Sequence, residues 1–136
     1  MTTELIAALE AAEGPSRELD RKIAAIAGWH RVEPRFTRNH KHGAWIAPED
    51  FIGVMSDGSP ILDSLHGTTL HREVPPYTSS IDAALTLVPD GWGWELRGSG
   101  YANLMHPDHR QCDTEGYAAT PATALVIAAL RAKGDV

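Results

Sequence analysis

Two amphipathic segments open the chain. Leu5, Leu9 and Ala12 recur at helical spacing, Ile6 widens the stripe, and Thr2 or Thr3 is placed to cap it. Gly14 stops this helix and Pro15 allows the next, because glycine favours helix ends and proline tolerates helix starts. In the second segment Leu19, Ile23, Ile26 and Ala27 form the apolar face and Gly28 ends it. Glu18 and Asp20 place negative charge in its first turn, where it suits the helix dipole. Two helices joined so tightly predict an antiparallel helical hairpin over residues 3–28.

Between residues 30 and 76 the periodicity is lost. Short apolar pieces at 45–46, 51–54 and 61–65 predict one or two short strands among long loops. Order returns at Ser79, which with Asp82 makes a start resembling a capping box. Ile81, Leu85 and Val88 then mark one face of a helix over 80–88, which Pro89 ends before an Asp90-Gly91 turn.

A β-hairpin over 92–106 is the clearest pattern. Trp92, Trp94 and Leu96 alternate with Gly93, Glu95 and Arg97, and Gly98-Ser99-Gly100 is a turn signal before a returning strand. A three-residue loop pairs Arg97 with Tyr101, Leu96 with Ala102, Glu95 with Asn103 and Trp94 with Leu104. In that register Trp92, Trp94, Leu96, Ala102 and Leu104 share an inward face, and Glu95, Arg97, Tyr101 and Asn103 share a polar one. A slip of one residue destroys the agreement. A polar stretch to Tyr117, with room for a further strand, leads to a last helix over 121–133. It opens at Thr120-Pro121 and carries Ala122, Leu125, Val126, Ala129 and Leu130 on a broad apolar face. The whole predicts one α+β domain spanning residues 1–136, an antiparallel sheet layered with helices as an α-β-α sandwich.

Composition narrows the function classes. Twelve basic against 18 acidic residues give a net charge of −6. A nucleic-acid backbone partner is therefore disfavoured, since such binding needs clustered cations, and only Arg31, Arg35, Arg38 and Lys41 offer a local patch. One cysteine, Cys112, excludes an internal disulfide. The N-terminus does not read as a signal peptide and no apolar run reaches membrane-spanning length, so a cytoplasmic protein without a membrane partner is expected.

Three blocks carry a resemblance. They are Arg17-Glu18-Leu19-Asp20 running into Ile26-Ala27-Gly28-Trp29; Tyr77-Thr78-Ser79-Ser80-Ile81-Asp82-Ala83-Ala84-Leu85-Thr86-Leu87-Val88-Pro89 followed by Gly91-Trp92-Gly93-Trp94; and Ala119-Thr120-Pro121-Ala122-Thr123-Ala124-Leu125 with Ala128-Ala129-Leu130. Together they resemble the phage ABA sandwich domain family, small proteins of phages and prophages. The resemblance covers roughly half the chain, in the order the family uses, and implies a sheet between helical layers and a life inside an infected or lysogenic bacterium. In size and in its helix-plus-hairpin make-up the chain is also similar to phage sponges that sequester a host nucleotide alarm signal, such as a cyclic ADP-ribose isomer in Thoeris-type defence. No binding residue of a sponge carries over position by position.

The candidate chemistry sits on the hairpin. Arg97, between Glu95 and Tyr101, can meet a phosphate while an aromatic ring stacks on a base, or it can form an ordinary cross-strand salt bridge. Trp92 and Trp94 can sandwich a purine or fill the core, and Trp29 and Trp45 suit packing or an interface. Free N–H groups at the start of the last helix can hold an anion unless Thr120 caps them. The histidines of His40-Lys41-His42 and of His106-Pro107-Asp108-His109, with Cys112 and Asp113, include possible metal ligands without a zinc-site spacing. Asp57, and Asp63 with His66 or His71, make acid–base pairs only as chance allows among 18 carboxylates. No nucleophile elbow, phosphate-binding glycine loop or metalloprotease helix pair is present.

The leading expectation is a non-catalytic phage binding protein, without a cofactor. Its ligand-binding residues are Arg97, Tyr101, Glu95 and Asn103 with Trp92 or Trp94, and a second subunit completes the shallow site. A protein–protein module acting through Trp45 and Phe51 is the alternative, and a metal-dependent hydrolase using His106, His109 and Asp113 the third reading.

Overall fold

A computed structural model describes residues 2–32, 44–48, 51–57, 60–62, 74–108 and 112–133. The described residues form an α+β chain with four helices and small antiparallel sheets. The chain divides into two compact units, Met1–Ile23 with Pro75–Val136, and Ala24–Val74.

The first unit is built around α4, Pro121–Ala132. Every residue from Ala122 to Leu130 is buried, wider than the apolar face that periodicity picks out. A helix apolar all round must be covered all round. On one side it lies across β6 (Tyr101–Met105) and β7 (Cys112–Tyr117), and α1 (Thr2–Ala11) and α3 (Ile81–Leu85) also pack on it. Leu5, Ile6 and Leu9 are the buried residues of α1. Glu10 meets Arg131 at 3.3 Å, and Arg131 also donates to the Glu115 carbonyl at 2.7 Å.

The approach of α4 to the sheet depends on Gly116. A Cβ there would press into the Ala124 carbonyl and lie 2.9 Å from Ile127 Cβ. Thr114, two residues back on the same face, donates its hydroxyl to the Ala128 carbonyl at 2.9 Å. Strand β7 therefore shows the helix a glycine and a threonine where a typical buried strand shows valine or isoleucine.

The sheet has the order β5-β6-β7, with β5 running Gly93–Arg97. The β5–β6 register pairs Trp94 with Leu104, Glu95 with Asn103, Leu96 with Ala102 and Arg97 with Tyr101, the pairing that alternation predicts. Gly98 turns the loop at a φ of 64°, where a side chain is disfavoured. Strand β7 adds antiparallel to β6, pairing Tyr101 with Tyr117, Ala102 with Gly116, Asn103 with Glu115 and Leu104 with Thr114.

Both ends of α3 differ from the expected ones. Ser80, not Ser79, caps α3, accepting from the Ala83 N–H at 3.2 Å. The Pro76 carbonyl takes the N–H groups of both Ser79 and Ser80, so a turn occupies 77–79 and the helix starts later. It also stops at Leu85, because Thr86, Leu87 and Val88 each bond three residues back, a tighter winding than α-helix.

A buried polar knot ties the unit together. The carboxylate oxygen Oδ1 of Asp20, a residue 1% exposed, accepts from both the N–H and the hydroxyl of Thr78 at 2.8 Å. Arg17 reaches its other oxygen at 2.8 Å. The Thr78 hydroxyl accepts from the Ser16 N–H at 2.9 Å, and Ser16 in turn caps α2 (Arg17–Ile26) through Leu19. The hydroxyls of Thr120 and Thr123 each lie 3.1 Å from the Thr78 carbonyl oxygen. Among the described residues no buried side-chain N or O atom is left without a partner.

The second unit holds two antiparallel strand pairs where one or two strands were expected. Strand β1 (His30–Val32) pairs with β2 (Ala44–Ile46), and β3 (Phe51–Val54) pairs with β4 (Pro60–Leu62) across a register irregularity. Each strand has three or four residues, too few for a periodicity to register. The His30 and Phe51 rings stack at 4.2 Å. Trp29, Val32, Ile46, Ala47 and Val74 are buried, and Pro48 packs beside Gly28, whose φ is 104°.

Candidate functional site

The side of the β5-β6-β7 sheet opposite α4 carries two polar rows, each crossing all three strands. The strand period of two puts Glu95, Asn103 and Glu115 in one row and Arg97, Tyr101 and Tyr117 in the next. A continuous chain of hydrogen bonds joins them. Arg97 Nε donates to Glu95 Oε1 at 2.5 Å. Asn103 Nδ2 lies 3.3 Å from that same oxygen and 3.4 Å from the Tyr101 hydroxyl. Tyr101 donates to Glu115 Oε2 at 2.8 Å, and the Tyr117 hydroxyl is 3.4 Å from it. The two tyrosine rings lie 4.8 Å apart, tilted by 52°.

The depths of these residues differ. Asn103 sits on the central strand beneath its neighbours and is buried, whereas Tyr117 is 59% exposed and the Arg97 side chain 70%. The buried amide fixes the row, and the rings and guanidinium are presented to solvent. The Arg97 hydrogen bond, aided by the Asn103 amide and by the guanidinium charge, holds the Glu95 carboxyl below its ordinary pKa. The ionised form of Glu95 is thereby favoured. The face can offer a tilted aromatic surface, two carboxylates that accept from hydroxyl or amino groups, and one guanidinium already engaged by a carboxylate.

Four of the six residues singled out on the hairpin are thus brought together: Glu95, Arg97, Tyr101 and Asn103. Trp92 and Trp94 are not among them. Trp94 pairs with Leu104 on the α4 side of the sheet, so its indole cannot stack on a ligand held between Arg97 and Tyr101. Nor is it core. It is 45% exposed, and among the described elements α4 packs chiefly on β6 and β7. Trp92 is half-buried and meets His106 edge-on at 5.0 Å.

Glu115 and Tyr117 join the site unforeseen. Their strand has no apolar alternation to announce it, since its helix-facing positions are Thr114 and Gly116. Local polarity leaves room for a further strand up to Tyr117 without marking which residues would face the core.

The other candidates are placed as follows. Thr120 accepts from the Thr123 N–H at 3.1 Å, so the start of α4 is capped by its own side chain. The imidazole of His106 accepts from the Asp108 N–H at 3.1 Å. His40, His42, Asp63, His66, His71 and His109 lie outside the described residues, as do the side chains of Cys112 and Asp113. Among the described residues no three of His, Cys, Asp or Glu converge as metal ligands. No described helix is long and apolar enough to cross a membrane. No family model, curated protein or solved structure matches the chain.

Proposed function

We propose that the chain is a non-catalytic binding protein of phage type that holds a small nucleotide-type ligand on the polar face of β5-β6-β7. One observation carries this reading: Arg97, Tyr101 and Tyr117 stand side by side in an exposed row across three strands. A base stacks on the tyrosine rings, the Glu115 and Glu95 carboxylates accept from sugar hydroxyls or base amino groups, and Arg97 takes phosphate at the loop end. The two carboxylates favour a ligand with few phosphates, as a cyclic signal has. The fully bonded network also suits binding more than turnover, since each polar group already has a partner that fixes its position.

Isothermal titration with cyclic nucleotides and ADP-ribose isomers tests the reading. Saturable binding that Tyr117→Ala and Arg97→Ala each weaken supports it. Absence of heat with every one of these ligands at micromolar concentrations of folded protein ends it.

The finer architecture belongs to the same reading. In an α-β-α sandwich with α1 and α2 as an antiparallel hairpin, α4 supplies one layer over the sheet. The exposure of Glu115 and Tyr117 weighs against a second helical layer on this particular sheet.

A protein partner is the second reading, favoured by the apolar pair Val54 and Met55 at the end of β3, which are 53% and 57% exposed. Met55→Glu, together with changes at Trp45 and Phe51, would abolish such binding and leave nucleotide titrations unchanged.

A further inference from the structure

Among the described strands β5 pairs with β6 alone, which makes it an edge of the sheet. Proteins guard such edges with proline, charged side chains, a bulge or a covering element. Strand β5, Gly93–Arg97, has no proline, its pairing to β6 runs without a register shift, and of these guards its sequence carries the charges of Glu95 and Arg97. The pairing of β7 with β6 does shift, between Leu104 and Met105.

The charge pattern of the edge selects one register. Antiparallel pairing of two β5 strands about a two-fold axis at Glu95 or Arg97 would set like charges face to face. An axis at Trp94 leaves Glu95 opposite glycine. An axis at Leu96 sets Glu95 opposite Arg97 of the partner subunit, and Arg97 opposite the partner's Glu95. The same axis sets Trp94 opposite the partner's Gly98, a position with nothing within 4 Å of where a Cβ would stand. The indole, 45% exposed in the single chain, then has room to lie over backbone.

We infer that a second copy of this chain docks on β5, antiparallel about a two-fold axis through Leu96, joining two three-stranded sheets into one of six. That axis stands perpendicular to the sheet, so both polar faces lie on one side and both α4 helices on the other. The rows of Arg97, Tyr101 and Tyr117 then continue across the seam through Glu95 of the partner subunit. This assembly stands on the edge strand alone and is independent of what the face binds.

Native mass spectrometry and sedimentation over a concentration series provide the test, with circular dichroism as the check on folding. The parent chain is expected to show a concentration-dependent dimer. Arg97→Glu and Glu95→Arg each set like charges twice across the seam and raise the dimer dissociation constant about tenfold or more. Mixed in equal amounts, the two variants restore opposite charges at every contact and form a dimer of one of each. A parent that stays monomeric to millimolar concentration overturns the inference. So does a dimer indifferent to both substitutions, or a mixture that forms no heterodimer.

Discussion

Thr78 donates both its backbone N–H and its hydroxyl to one carboxylate oxygen of Asp20, 58 residues away in the chain, each at 2.8 Å. Through Thr78 the starts of α2 and α4 are bound to one turn. The knot draws on three segments far apart in the chain: Asp20 from the first, Thr78 from the second, Thr120 and Thr123 from the third.

Removing the carboxylate leaves the buried Thr78 N–H without its acceptor. Asp20→Ala is expected to destabilise the fold by about 2–4 kcal/mol. Asp20→Asn keeps an acceptor toward Thr78 and should cost less, about 1–2 kcal/mol. Urea denaturation of the two variants measures the difference. Equal losses would show that the hydrogen bonds to Thr78 do not matter.

Gly116 sets the distance between β7 and α4. Gly116→Ala forces a methyl into the Ala124 carbonyl and toward Ile127, and backbone on a packed helix cannot swing aside as a side-chain end can. A loss of about 2–3 kcal/mol in the denaturation midpoint analysis is expected. Gly14→Ala, where nothing lies within 4 Å, is the control and should be close to neutral.

The ionisation of Glu95 links the site to pH. Its folded pKa is lowered, first by the Arg97 hydrogen bond, then by Asn103 and the guanidinium charge. The folded state thus binds fewer protons than the unfolded chain between the two pKa values, and stability rises with pH there. The contribution is complete above the unfolded value and lost as pH falls through the folded one. NMR titration of the carboxyl should give a midpoint below that of an ordinary glutamate, and Arg97→Ala should return it upward. An unchanged midpoint in that variant would remove the ion pair as the cause.

Trp94 separates edge from core. A buried tryptophan cut to alanine costs about 3–5 kcal/mol. At 45% exposure on an edge strand, Trp94→Ala should cost well under that in dilute solution, about 1 kcal/mol. Trp29, 9% exposed, should show the large loss instead. Thermal unfolding of the two variants compares them directly.

The hairpin and its register were legible in the sequence because both depend on neighbours. A glycine turn and a period of two suffice to decide which residues of 93–105 face each other. The helices were legible through their spacing of apolar residues, and α4 also through its Thr120 cap. Thr2 and Thr3 lie inside α1 where one of them was expected to cap it, Ser16 caps α2, and Ser80 displaces Ser79 because Pro76 recruits both serine amides. What was not legible depends on closeness between distant parts. Strand β7 hides its inward face behind Thr114 and Gly116, small residues that make sense only once α4 is known to press on them. Asp20 reads as a dipole charge until Thr78 arrives beside it.

By itself, then, the sequence determined the order of helices, the hairpin, and the sorting of Glu95, Arg97, Tyr101 and Asn103 onto one face, since period and turn chemistry act over a few residues. The tertiary structure alone decided that Glu115 and Tyr117 complete that face, that Trp94 stands part-exposed on an edge strand, and that a buried aspartate joins three distant segments. Those outcomes depend on which surfaces meet across the fold, and pairing between residues far apart in the chain leaves no local period to read.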